Sequence, residues 1–100
     1  MARYWLSYDL GLRGNYEQLY EWLDRLDARE CGEAMATFES EKTREQIKSD
    51  LGKLLGKSAR VYLIGKKASG KFTGSFILGR RRRSSWQGYA VMGSETEEEE

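Results

Sequence analysis

The spacing of the hydrophobic residues changes several times along this chain, and this limits the folds open to it. Apolar and polar residues alternate from Arg3 to Leu10, as in a strand, whereas residues 16–27 repeat with helical spacing. A second helical repeat, Ile47 to Leu55, is followed by strand-like segments at 59–65 and 72–78. Because 100 residues support a single core, we expect one domain over residues 1–94.

Capping residues mark where the elements begin and end. Asn15, with Gln18 three residues later, is expected to cap the first helix, and Thr43 with Gln46 forms a second capping-box pattern. Gly56 ends the second helix. Residues 29–40 are too few for another helix and are interpreted as one bent strand or two short ones.

This order of elements predicts an α+β fold with a ferredoxin-like βαββαβ arrangement. Two helices would cover one face of an antiparallel sheet, and residues 72–78 would add a C-terminal hairpin strand. The other face would expose Trp5, Ser7 and Asp9 on the first strand. An uncovered tryptophan predicts a homodimer interface at Trp5 and Ser7.

Charge is strongly segregated along the sequence. Residues 1–50 carry seven Lys/Arg and eleven Asp/Glu, whereas residues 51–94 carry ten Lys/Arg and no acid. Residues 95–100 add five glutamates and are expected to form a disordered acidic tail. The long basic stretch indicates a polyanionic partner.

Residue types absent or rare in the chain exclude several chemistries. With no histidine and only Cys31, histidine general bases, cysteine–histidine nucleophiles and imidazole zinc sites are excluded. A single cysteine and no long apolar run predict a cytoplasmic protein that does not enter a membrane. Any catalysis would depend on carboxylates, hydroxyls and bound metal.

The segment 65–71 (Gly-Lys-Lys-Ala-Ser-Gly-Lys) has the spacing of a nucleotide-binding P-loop. Phe72 stands where Ser or Thr would hold magnesium, and the following residues alternate as a strand instead of opening a helix. We therefore interpret the segment as a basic hairpin turn and expect no nucleotide cofactor.

Two basic groups are candidate nucleic-acid contacts. They comprise Lys66, Lys67 and Lys71 at one end of the hairpin, and Arg80, Arg81, Arg82 and Arg83 at the other, with Trp86 able to stack on bases. The alternative is a solvated basic turn against which the C-terminal aromatics pack.

Asp9 is the candidate catalytic and metal-binding residue. It ends the first strand, where a side chain can reach an opening, and two copies across a dimer axis would supply paired carboxylates for Mg²⁺. The alternative is that Asp9 caps a turn.

A resemblance supports these expectations. The strand Tyr4 to Leu10, the segment 33–39, the strand 59–64 and Trp86 to Tyr89 resemble the CRISPR-associated small endoribonuclease family, which includes the adaptation-complex subunit and SinR-like relatives. The resemblance implies a ferredoxin-like homodimer with Asp9 near its axis, acting as a Mg²⁺-dependent nuclease or as a non-catalytic subunit that holds DNA.

The leading hypothesis is therefore a homodimeric nucleic-acid-binding protein that is a candidate Mg²⁺-dependent endonuclease. The alternatives are a structural or regulatory protein that binds an acidic protein partner, and a small toxin-like ribonuclease.

Overall fold

A computed structural model describes residues 1–91. Its elements are β1 (Ala2–Asp9), α1 (Tyr16–Arg25), β2 (Arg29–Gly32), β3 (Met35–Ser40), α2 (Arg44–Leu55), β4 (Arg60–Lys66) and β5 (Phe72–Leu78). A helical turn begins at Tyr89 and reaches the end of the described residues. The predicted acidic tail, residues 95–100, lies outside them.

The strands form one five-stranded antiparallel sheet in the order β2-β3-β1-β4-β5. The α+β class, the two helices and the added hairpin strand agree with the expectation from the sequence. The full order of elements is longer than βαββαβ, because β5 and the turn at Tyr89 follow β4. Residues 29–40 form two strands, joined by a turn at Glu33 and Ala34, with a bulge before Gly32.

The two helices begin in different ways. At α2, the Thr43 side chain accepts a hydrogen bond from the Gln46 backbone, and the Gln46 side chain accepts one from the Thr43 backbone, so the predicted capping box is present. At α1, Asn15 occupies the predicted N-cap position, but its side chain makes no capping bond. Its amide instead donates to the Leu54 carbonyl oxygen at 2.9 Å, which ties the start of α1 to the end of α2.

Both helices pack on one face of the sheet and bury the core against it. The sheet contributes Tyr4, Leu6, Ala36, Phe38, Val61, Leu63 and Ile77, and the helices contribute Leu19, Trp22, Leu23, Ile47, Leu51 and Leu55. Burying these side chains is the main force that holds the helices on the sheet. No helix within residues 1–91 is long and apolar enough to cross a membrane.

The opposite face, which we call the open face, has no helix over it in the described part of the chain. Trp5 lies there between Thr37 of β3 and Ile64 of β4 in the strand register. Its ring centroid is 5.8 Å from that of Phe72. The central strand β4 is buried on the helix side and only partly buried on the open side.

The basic turn between β4 and β5 has the hairpin geometry expected from the sequence. The Lys67 backbone donates to the Lys71 carbonyl at 2.9 Å, and Gly70 donates to the Lys67 carbonyl at 2.8 Å. Gly70 has a φ of 89°, which favours glycine, and strand β5 follows at Phe72.

Candidate nucleic-acid interface

One end of the sheet collects charged residues from three parts of the chain. Asp9, at the end of β1, is paired in register with Arg60, at the start of β4. After β5 the chain turns at Gly79, where φ is 72° and an added Cβ would lie 2.8 Å from Cγ of Arg60 and 2.9 Å from the Ala59 carbonyl. Glycine therefore allows residues 80–83 to run directly beside Arg60.

The ring of Phe76 in β5 contacts the guanidinium groups of two arginines. The guanidinium carbon of Arg60 is 5.3 Å from the centroid of the Phe76 ring, and that of Arg81 is 5.8 Å away. Tyr62 supports the same ring edge-on, with centroids 5.0 Å apart. Arg60 is further fixed by donation from Nε to the Arg80 carbonyl at 3.1 Å. The ring attracts both cations and limits where they can lie.

These residues form a cleft of about 450 Å³, which we call the arginine cleft. Its lining is Arg60, Phe76, Arg81, Arg82, Arg83, Ser84, Ser85 and Trp86. Trp86 is 74% exposed, so its indole face is available to a ligand. A neighbouring hollow of about 330 Å³ shares Arg60, Phe76 and Arg81 and extends to Ser7 and Asp9.

Asp9 lines this second hollow, and both of its carboxylate oxygens accept hydrogen bonds. Its Oδ2 accepts from Nη1 of Arg60 at 3.3 Å and from Nη2 of Arg82 at 2.8 Å. Its Oδ1 accepts the Gly11 backbone N–H at 3.2 Å, which is the turn-capping role weighed as the alternative. Asp9 therefore caps a turn and also pairs with two arginines.

The residues around Asp9 in a single chain do not form a suitable ligand set for Mg²⁺. Magnesium prefers several oxygen ligands, whereas Asp9 is flanked by two guanidinium groups that repel a cation. Among residues 1–91, no group of three or more His, Cys, Asp or Glu side chains is arranged to hold a metal ion. A catalytic or metal-binding role for Asp9 stays a prediction.

Tyr8, next to Asp9 in the chain, also lines the hollow. Burial, reinforced by hydrogen bonding with Tyr20, raises the pKa of Tyr8 to about 12. Its ring contacts those of Tyr16 and Tyr20 edge-on, at 6.5 and 6.2 Å. Near neutral pH, Tyr8 is therefore a packing residue and carries no charge toward a ligand.

The other basic residues lie away from the arginine cleft. Lys66, Lys67 and Lys71 surround the far end of the β4–β5 hairpin, roughly 20 Å away at about 3.3 Å per residue. Lys66 lies over the ring of Phe72 at 5.6 Å. The predicted contact residues thus form two separate basic groups along one edge of the sheet.

The predicted dimer residues lie on the open face. Trp5 is half-buried and Ser7 is exposed, opposite Met35 and Tyr62 in the register. Phe72 and Phe76 extend this aromatic surface along β5.

Sequence reasoning missed Arg60 and Phe76 as members of the site. The available signal was strand alternation, which puts Phe76 on the same side of β5 as Phe72. The register that places Arg60 beside Asp9 has no local sequence signal.

Comparisons of the chain with protein-family models, curated proteins and solved structures found no match.

Proposed function

We propose that this chain binds nucleic acid as a homodimer, with the arginine cleft contacting phosphates and Trp86 contacting a base or sugar. The observation that carries the proposal is the convergence of Arg60, Arg81, Arg82 and Arg83 on one cleft. Guanidinium groups match phosphate oxygens with paired donors, and exposed aromatic rings stack on bases.

A ferredoxin-like fold is part of this proposal. The order β2-β3-β1-β4, with helices after β1 and β3, supports a βαββαβ arrangement to which β5 is added at the β4 edge. This topology supports the resemblance to CRISPR-associated small endoribonucleases. The single cysteine, Cys31, which is free and exposed, fits a reducing cytoplasm.

Homodimer formation rests on the open face. Trp5, Tyr62 and Ile64 are only partly buried, and Phe72 is exposed. Because the face is apolar, it can pack against the same face of a second copy, which would remove these side chains from water. Two arginine clefts would then be present in each dimer.

Nucleic acid is favoured over an acidic protein because the cleft combines cations with exposed rings. An acidic peptide satisfies the arginines but leaves the Trp86 ring face without a flat partner. Competition decides between them: an unlabelled oligonucleotide should displace a labelled one at much lower concentration than polyglutamate of equal charge.

The test removes charge from the cleft and, in a matched control, from elsewhere. Arg81→Ala with Arg83→Ala should weaken binding of a fluorescent 20-mer. The fall of the logarithm of the association constant with the logarithm of salt concentration should become less steep by about 1.5–2, because two phosphate contacts are lost. Lys48→Ala with Lys57→Ala removes equal charge from exposed positions outside the cleft and should change the slope less. Equal effects of the two pairs would refute a localised site.

Mg²⁺-dependent cleavage is the alternative outcome of the same assay. Cleavage of the oligonucleotide when Mg²⁺ is added would extend the proposal from binding to catalysis. Intact oligonucleotide with measurable binding would support the non-catalytic form.

A further inference from the structure

We propose that Arg60 and Arg82 form a phosphate subsite that the Asp9 carboxylate occupies in the free protein. This inference rests on the proposed function and deepens it by naming where a backbone phosphate binds. Asp9 Oδ2 takes one hydrogen bond from each guanidinium, at 3.3 and 2.8 Å. A phosphate oxygen makes the same charge-assisted bonds to arginine, so the carboxylate is an internal substitute for the ligand.

The two arginines are prepared for binding to different degrees. Arg60 is 24% exposed and is fixed by the Phe76 ring and the Arg80 carbonyl. Arg82 is 66% exposed, and its ion pair with Asp9 is the contact that orients it. Arg60 is thus the rigid half of the subsite, and Arg82 is the half that can turn from Asp9 to a ligand.

An incoming phosphate can displace Asp9 at small cost. Asp9 is 49% exposed and the ion pairs face water, where such pairs are weak. While Asp9 is charged, however, it neutralises the arginines and repels the phosphate. The residue therefore lowers affinity for polyanions and acts as an autoinhibitory contact on two arginines of the cleft.

Asp9→Asn is a clean perturbation because it removes the charge and keeps the turn. The asparagine Oδ1 can still accept the Gly11 N–H, and asparagine is common in such turns. Binding of a fluorescent 20-mer should tighten by about fivefold at about 50 mM salt, because the two weak ion pairs of Asp9 with Arg60 and Arg82 no longer compete with the ligand. At 0.5 M salt the gain should fall below about twofold, because screening is stronger.

A matched control separates this subsite from general charge. Glu39 also pairs with an arginine, Arg3, at 2.6 Å, but it lies at the other end of the β1–β3 pairing. Glu39→Gln removes the same charge and should change the affinity much less than Asp9→Asn. Urea unfolding of both variants should confirm that they are folded.

A double-mutant cycle tests the link to Arg82 directly. In an Arg82→Ala background, Asp9→Asn should give a clearly smaller gain, because one half of the subsite is missing. An undiminished gain in that background would overturn the subsite, as would equal gains from Asp9→Asn and Glu39→Gln. Loss of Mg²⁺-dependent cleavage in Asp9→Asn without tighter binding would also overturn it and make Asp9 catalytic.

Pyrophosphate separates failure of the subsite from failure of the proposed function. If no oligonucleotide binds either protein, but pyrophosphate raises the melting temperature of Asp9→Asn more than that of the wild type, the subsite stands and nucleic-acid binding is refuted. If oligonucleotides bind both proteins equally, the subsite is refuted and the proposed function stands. Equal pyrophosphate effects without oligonucleotide binding refute both.

Discussion

Phe76 organises the arginine cleft without carrying charge, so replacing its ring tests how the cleft is built. Phe76→Leu removes the face that attracts Arg60 and Arg81, at 5.3 and 5.8 Å, and the edge contact with Tyr62. Exposed cation–π contacts contribute about 0.5–1 kcal/mol each. The aromatic pair adds about 0.5–1.5 kcal/mol. We expect the free energy of unfolding to fall by about 1.5–3.5 kcal/mol, the sum of these three contacts, since leucine retains much of the apolar burial but none of the ring interactions.

Binding should weaken because the two arginines lose the ring that holds them. The expected loss is about three- to tenfold, which corresponds to at most about 1.4 kcal/mol. The slope of log K against log salt should stay unchanged, because every cation is still present. Urea unfolding measures the first effect, and fluorescence anisotropy at several salt concentrations measures the second.

Phe72→Leu is the matched control for this prediction. Phe72 lies in the same strand and packs against Lys66 and Trp5, but at the far end of the hairpin. It should lower stability without weakening oligonucleotide binding to the same degree. Equal losses of affinity in both variants, with equal molecular mass by light scattering, would refute the role of Phe76 in positioning the arginines.

Three further predictions concern other parts of the molecule. Trp5→Glu should weaken the dimer at least about tenfold in light scattering, because it places a charge in an apolar contact, whereas Leu12→Glu at a fully exposed position should not. A purely monomeric wild type at micromolar concentration would contradict this. The hydrogen bond from Lys42 is the main cause that lowers the pKa of Asp50, so the native pair stabilises the fold above the usual Asp range and this contribution is lost as pH falls. Urea unfolding should therefore show Asp50→Asn less stable at pH 7 and closer to the wild type below about pH 4; a constant difference would argue against it. Deleting residues 95–100 removes five glutamates and should tighten oligonucleotide binding at about 50 mM salt but hardly at 0.5 M, as measured by anisotropy; equal affinity at low salt would show that this segment does not compete.

Much of the fold could be predicted because its signals are short-range. The Thr43 capping box needs only a residue three positions away, and the strand Phe72 to Leu78 has the bounds expected from its alternation. Asn15 shows where local reasoning fails. Its side chain was expected to cap the nearby helix α1, yet in the folded chain it donates a hydrogen bond to the carbonyl oxygen of Leu54, 39 residues away.

The candidate site was predicted less completely. Asp9, Trp86 and the arginines 81–83 were named as candidates from position and charge, whereas Arg60 and Phe76 were missed and Arg80 does not line the cleft. The lysines of the hairpin turn were placed correctly at the opposite end from the arginines, because strand length alone separates the two ends of a hairpin.

The sequence by itself therefore determined the order of helices and strands, the segregation of charge, and which face of β1 is buried, because each depends on neighbouring residues. Only the tertiary structure decided that Asp9 pairs with Arg60 and Arg82, which are 51 and 73 positions away. Strand register and the turn at Gly79 bring these charges together. Register is set by packing of the whole core, and a shift of one residue would move Arg60 to the other face of the sheet.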